Sequence, residues 1–208
     1  MPLASYHIKY LQRSDEELRR RADVKEEELK RIFSSLHYQT PAQIVRIAVL
    51  GCADRRFISH HRRIFEKLLA RAVELTTFDI IIEHLQGEEN ILQHDCTLPL
   101  PHPPYDITFG HVFLKFIETE KQWSVLKNSY DALRAPGIAI HVFDEEDVTT
   151  VSLKQADGLW SVPLERWKRQ LADQGIAYQV LHWNIDVDYL PIPIRGLKGG
   201  ALVLEKYL

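Results

Sequence analysis

The sequence predicts an α/β protein: a three-layer sandwich on a seven-stranded, mostly parallel sheet with an antiparallel last strand, preceded by a helical arm. Three observations predict it. From Gln43 onward, short β-branched apolar runs alternate with segments of helical periodicity. The first of these runs, "IVRIAVLG", is nearly continuous in apolar residues, as a strand covered on both faces requires. The last two runs, "AYQVLHW" and "GGALVLEKY", are joined by an irregular link with no helical pattern. Strands without a crossover helix pair antiparallel.

The first forty residues read as charged helix. In "SDEEL", Ser14 can cap a helix start while Glu17 reaches back to it. "DVKEEELKRIFSSL" repeats that spacing with Asp23 and Glu26, and its Val24, Leu29, Ile32, Phe33 and Leu36 fall largely on one face. Thr40–Pro41 closes the region. Residues 1–41 are therefore expected to form an arm, and residues 42–208 the α/β domain. The arm is either a lid or a stabilising extension.

The α/β part follows in order. "IVRIAVLG" is the first strand, "HHRRIFEKLLARA" a helix, and "VELTTFD" the second strand. "IIIEHLQG" is a short helix closed by Gly87, "NILQHD" the third strand, and "YDITFGHVF" the fourth. "KQWSVLKNSYDALRAPG" is a helix stopped at Pro136–Gly137, and "IAIHVFD" the fifth strand. "PLERWKRQLADQG" is a helix ended by Gly175, and the closing strand pair completes the set.

Composition narrows the function. At 208 residues with 45% apolar content, the chain suits one domain with a sizeable core. A net charge of −3 does not indicate a general nucleic-acid binder. The two cysteines, Cys52 and Cys96, have no CxxC spacing, so a reducing, cytoplasmic setting is expected. No apolar run approaches the ~20 residues of a membrane span. Ten histidines form no HExxH or similar spacing, so no metal site is expected. "DRRFISHHRR" is locally basic and is open to two readings, a patch that attracts phosphate or the exposed face of a helix with Phe57, Ile64, Phe65 and Leu68 on the buried side. The mixed-charge arm is open to two readings, a self-association surface giving a homodimer or a solvated face.

The elements and several motifs together resemble the class I, Rossmann-like S-adenosylmethionine-dependent methyltransferases over residues 42–208. "PYDITFGHVFLKFIETEKQWSVLKNSYDALRAPGIAIHVFD" resembles the family's fourth strand, helix and proline–glycine approach to the fifth strand, with Ile138 where the family has a second glycine. "NILQHDCTLPLP" resembles the third strand with its acidic residue. "VPLERWKRQLADQGIAYQVLHW" resembles the helix and sixth strand. "VLGCADRRF" matches the family's glycine-rich loop in part. Val49 stands at its acidic position, Gly51 keeps the first glycine, and Ala53 and Arg55 replace the other two.

The resemblance implies S-adenosylmethionine as cofactor. Its contacts are expected from Gly51, Cys52 and Ala53 in the loop, and from Asp79 and Ile80, where the carboxylate takes ribose hydroxyls and the isoleucine packs on adenine. Asp95 and Cys96 are expected beside the adenine, and Gly110 beside the sulfonium. His111 is the candidate general base, or a helix-start residue with no chemistry. The prolines of "HPPYD" precede the fourth strand and read as a stiffened approach loop, not as the (D/N)PPY motif of amino-group methyltransferases. Trp160, in the loop after the fifth strand, is a candidate border of an acceptor pocket. The acceptor is unidentified. A non-catalytic relative with the same fold is the alternative. A nicotinamide-dependent oxidoreductase fits poorly, because the GxGxxG turn is absent.

Overall fold

The computed structural model describes residues 5–36, 38–148, 159–185 and 197–207. Among the described residues there are seven strands: β1 (Ile44–Leu50), β2 (Ala72–Asp79), β3 (Ile91–Gln93), β4 (Tyr105–His111), β5 (Leu133–Asp144), β6 (Ala177–Ile185) and β7 (Leu197–Lys206). The helices are α1 (Ser5–Leu11), α2 (Asp15–Leu36), α3 (Arg56–Leu69), α4 (Thr119–Asp131) and α5 (Leu164–Asp173). Strand order is β3-β2-β1-β4-β5-β7-β6. β7 runs antiparallel to both β5 and β6, while the β1–β2, β2–β3 and β4–β5 pairs are parallel. This is the predicted sandwich. The irregular link between the last two strands, like residues 154–158 before Trp160, lies outside the described residues.

Two compact units divide the chain, Met1–Asp95 and Cys96–Leu208. The arm belongs to the first. Its capping box forms: Glu17 N–H donates to Ser14 Oγ at 3.2 Å, and Ser14 N–H donates to Glu17 Oε2 at 3.0 Å. The expected second helix start at Asp23 does not occur, because α2 runs unbroken through it. The stripe Leu18, Ala22, Leu29 and Ile32 is fully buried and continuous along α2, so keeping the backbone ladder costs less than capping anew. Glu26, expected as a capping residue, instead pairs with Lys67 of α3. Phe33 meets Phe65 of α3 edge-on at 6.3 Å.

Two helix boundaries differ from expectation. α3 starts at Arg56 instead of His60, since Asp54 caps it: Arg56 N–H donates to Asp54 Oδ1 at 2.9 Å and Phe57 N–H to Asp54 O at 3.0 Å. In the second unit, "LRAPG" is not helix. β5 already begins at Leu133, which pairs with Tyr105 before a register shift. A Cβ on Gly137 would lie 2.4 Å from Arg134 O, so this stretch of strand admits only glycine there. The prolines of "HPPYD" do precede β4, and Tyr105 Oη donates to Pro101 O at 2.7 Å across that approach loop.

Candidate functional site

The loop after β1 is built almost entirely from local chemistry. Gly51 turns the chain at φ +75°, in the left-handed region that glycine enters without steric cost. Its N–H donates to Phe78 O at 2.7 Å. The next amide, Cys52 N–H, donates to Asp79 Oδ2 at 2.9 Å, and Ile81 N–H donates to Asp79 Oδ1 at 3.1 Å. Asp79, the last residue of β2, is buried, and each of its oxygens keeps a lone pair beyond these bonds. Ile80 follows it with 48% of its surface exposed, an apolar side chain presented to solvent beside the carboxylate.

The rest of the loop is held by side chains that no sequence motif singles out. His84 Nε2–H donates to Cys52 O at 2.7 Å. Cys52 Sγ donates to Asp54 O at 3.2 Å. Burial pushes the Cys52 thiol up to about 12, so it stays protonated and inert as a nucleophile. Arg56 grips Asp54 with two side-chain bonds, Nε to Oδ1 at 2.9 Å and Nη2 to Oδ2 at 2.7 Å. It also donates to Asp15 Oδ1 at 2.6 Å and Arg13 O at 3.2 Å, tying the arm to the loop. Burial works to raise the Asp54 pKa, and the Arg56 bonds outweigh it, so the carboxyl sits below its ordinary range.

The loop's missing glycines turn out to be conformationally unnecessary. Neither Ala53 nor Arg55 has a positive φ, and Arg55 sits at φ −54°, ψ −33°, the helical region open to any residue. Arg55 is exposed and its Nη1 donates to Gln86 O at 3.4 Å. Its side chain therefore runs toward the segment after β2. Arg55→Gly is expected to leave ligand binding at this loop unchanged, and to lower stability by about 1 kcal/mol through backbone entropy. Titration and thermal melting of the variant check this. A gain in affinity above about tenfold would show that the arginine obstructs the site.

Asp95 lies two residues beyond β3 and is half-buried. Its neighbour His94 donates its N–H to Asp79 O at 2.8 Å, and Gln93 Nε2 donates to Ile80 O at 3.1 Å. The segment carrying Asp95 is thus attached to the segment carrying Asp79 and Ile80. Gly51, Cys52, Ala53, Asp79, Ile80 and Asp95 all belong to the first unit, at the carboxyl ends of β1, β2 and β3.

Cys96, Gly110 and His111 belong to the second unit. Cys96 is buried, and its carbonyl accepts Asn128 Nδ2 at 3.4 Å. Gly110 is buried in β4, in register with His141 of β5. His111 ends β4, half-buried, its ring 6.2 Å from that of Phe109. The loops after β4 and β5 are tied together: Lys115 Nζ lies 2.9 Å from Asp144 Oδ2 and 3.0 Å from Asp147 Oδ2. Trp160 N–H donates to Lys115 O at 2.7 Å, which places this tryptophan against the loop after β4.

The expectation of an exposed "SHHRR" face is corrected at His61. That side chain is buried, stacks on Phe57 at 6.1 Å, and its Nε2 lies 3.2 Å from Lys25 Nζ of the arm. The arm covers that face at His61, while Ser59 and Arg63 stay exposed. Among the described residues, no group of His, Cys, Asp and Glu is arranged to hold a metal ion, and no helix is long and apolar enough to cross a membrane.

No protein-family model matches the sequence, and no curated protein does. Solved structures do match. A SAM-dependent methyltransferase from Archaeoglobus fulgidus superposes with a TM-score of 0.57 at 14% identity, covering 87% of this chain and 94% of its own. A SAM-dependent methyltransferase from Leishmania major gives 0.60 at 14% identity, over 88% and 72%. The O-methyltransferase of a Brevibacillus brevis polyketide synthase multienzyme, solved with S-adenosyl-L-homocysteine, gives 0.60 at 13% identity, over 100% and 81%. Strand order, antiparallel closure and these superpositions agree: the chain has the Rossmann-like fold of the class I S-adenosylmethionine-dependent methyltransferases.

Proposed function

We propose that this protein binds S-adenosylmethionine at the carboxyl edge of β1–β3 and transfers its methyl group to an acceptor not yet identified. The observation that carries the reading is the Gly51–Cys52–Asp79 constellation. A left-handed turn after β1 brings the backbone of Cys52 onto a buried carboxylate at the end of β2, with a solvent-exposed isoleucine next to it. A carboxylate with spare lone pairs suits the two ribose hydroxyls. An exposed branched side chain suits the face of a purine. The residues therefore fit the group.

When bound, the cofactor's sulfonium supplies an activated methyl group and a good leaving group. The chain's share is positional: to hold the nucleophile in line with the methyl. That demand is met by binding and orientation more than by acid–base side chains, so the absence of a recognisable catalytic motif does not argue against transfer. His111 remains the candidate for taking a proton from the acceptor, since its imidazole closes β4 and is not fully buried. The described parts of the loops after β4 and β5, joined through Lys115 and Trp160, are the acceptor-facing elements of the second unit. The two buried free thiols suit a reducing, cytoplasmic compartment.

Calorimetric titration with S-adenosylhomocysteine and S-adenosylmethionine tests the reading. Micromolar affinity, about 8 kcal/mol, is expected for either. Absence of binding by both would leave a non-catalytic interaction module with the same fold.

A further inference from the structure

The two edges of the sheet are unlike. β3 closes one side with three residues, too few to template a partner strand. β6 closes the other with nine. An edge strand presents unpaired N–H and C=O groups, and proteins blunt such edges with lysine, proline, a bulge or brevity. β6 has none of these. Its sequence AYQVLHWNI holds no charged residue, proline or glycine. Its nine partners in β7 follow one another without a register shift. Alternate residues of β6 turn both backbone groups away from β7. Between Ala177 and His182, no other backbone segment of the described residues takes those groups up. Tyr178, Val180 and Leu181 are only half-buried along this stretch.

The helix beside this edge carries matched charges. α4 packs on β5 and β7, and α5 packs on β6. Trp167 and Leu171 of α5 are fully buried and mark its core-facing side. On one flank of that side Arg166 reaches α4, where it pairs with Glu120 through Nη1 at 2.9 Å and Nη2 at 2.7 Å. With about 3.6 residues per turn, Glu165 and Lys168 fall on the opposite flank, away from α4 and toward the free edge. Lys168 Nζ lies 2.7 Å from Glu165 Oε1, so this flank presents one charge of each sign.

We propose that the β6 strands of two copies of this chain pair antiparallel across a two-fold axis near Leu181, joining two sheets into one. Charge and symmetry select a second copy as the occupant. Leu181 is the middle residue of β6, and the axis sets the residues before it against the residues after it. A charged edge strand would there meet its own charge, and the uncharged β6 does not. The same axis runs the two α5 helices antiparallel and turns the Lys168 flank of each copy toward the Glu165 flank of the other. Self-association then belongs to the second unit and not to the arm.

Sedimentation velocity of the full chain at micromolar concentration tests this, and a dimer is expected. Leu181→Lys and Leu181→Glu each set like charges together at the axis and shift the protein to monomer. Mixing the two variants sets lysine against glutamate and restores the dimer, which a folding defect could not do. Lys168→Glu, on the exposed flank of α5, weakens the dimer, and adding Glu165→Lys to it recovers the wild-type behaviour. That pair decides the matter should the Leu181 variants melt low. A monomeric wild type overturns the inference and leaves the edge to an extended segment of another protein. A dimer that survives both Leu181 variants, or is unmoved by Lys168→Glu, overturns it in favour of another surface such as the arm. Folded Leu181 variants that stay monomeric when mixed overturn it as well.

Discussion

Replacing Asp79 with alanine is expected to weaken S-adenosylhomocysteine binding about a hundredfold or more and to lower stability as well. The two effects have one origin. Asp79 Oδ2 takes Cys52 N–H and Oδ1 takes Ile81 N–H, both in buried positions. Removing the carboxylate leaves two buried donors unpaired, at about 1–3 kcal/mol each. It also removes the only acceptor at the end of β2 proposed for ribose hydroxyls. Asp79→Asn separates the roles. Its single oxygen can serve one backbone amide or share itself with one hydroxyl, so an intermediate loss in both stability and affinity is expected. Calorimetry and thermal melting in parallel make the check. A variant that melts low but binds ligand as the wild type does would assign Asp79 to the loop's architecture alone.

His141 is expected to dominate the acid sensitivity of the second unit. It lies in the middle of β5, fully buried, between Gly110 of β4 and Leu202 of β7 in register. Neither ring nitrogen has a hydrogen-bond partner among the described residues. Burial pushes its pKa down to about 3. The unfolded chain protonates the same imidazole near 6.5. Between those values the unfolded state binds the extra proton, so stability is full above about pH 6.5 and falls as pH drops toward 3. The slope contributed is up to about 1.4 kcal/mol per pH unit. His141→Leu is expected to hold or raise stability at pH 7, since an apolar side chain of similar size replaces two unpaired polar atoms. It is also expected to flatten the acid limb. Denaturant midpoints for both proteins at pH 7, 5.5 and 4.5 decide it. Parallel curves would show that the imidazole finds a partner or water in solution. Asp54, held below its ordinary range by Arg56, adds its own loss only at lower pH and is present in both proteins.

Much of the loop after β1 is legible in the residues themselves. Gly51, with its positive φ, is a local consequence of a strand that must turn, and Asp79 closes the neighbouring strand at the same edge. Whether Ala53 and Arg55 spoil the loop is not decidable from residue type, because a glycine's necessity depends on torsions. One signal in the sequence is easily passed over. Asp54 directly precedes the apolar periodicity of α3 and has the chemistry of its cap, which moves the helix start from His60 to Arg56. His84 carries no comparable sign, since a histidine in a short turn meets Cys52 O only once the turn has closed.

By itself, the sequence determined the succession of strands and helices, the antiparallel closure and the carboxyl-edge position of Gly51, Asp79 and Asp95. Those follow from hydrophobic periodicity and strand polarity, properties of neighbouring residues. Only the tertiary structure decided that the arm's Lys25 stands beside His61 and Phe57, that Arg56 clasps Asp54 and Asp15 together, and that His141 is sealed without a partner among the described residues. Those depend on how helix faces and strands pack across long separations in the chain. An amphipathic pattern says which face is buried, not which charged side chain of one helix will arrive against another.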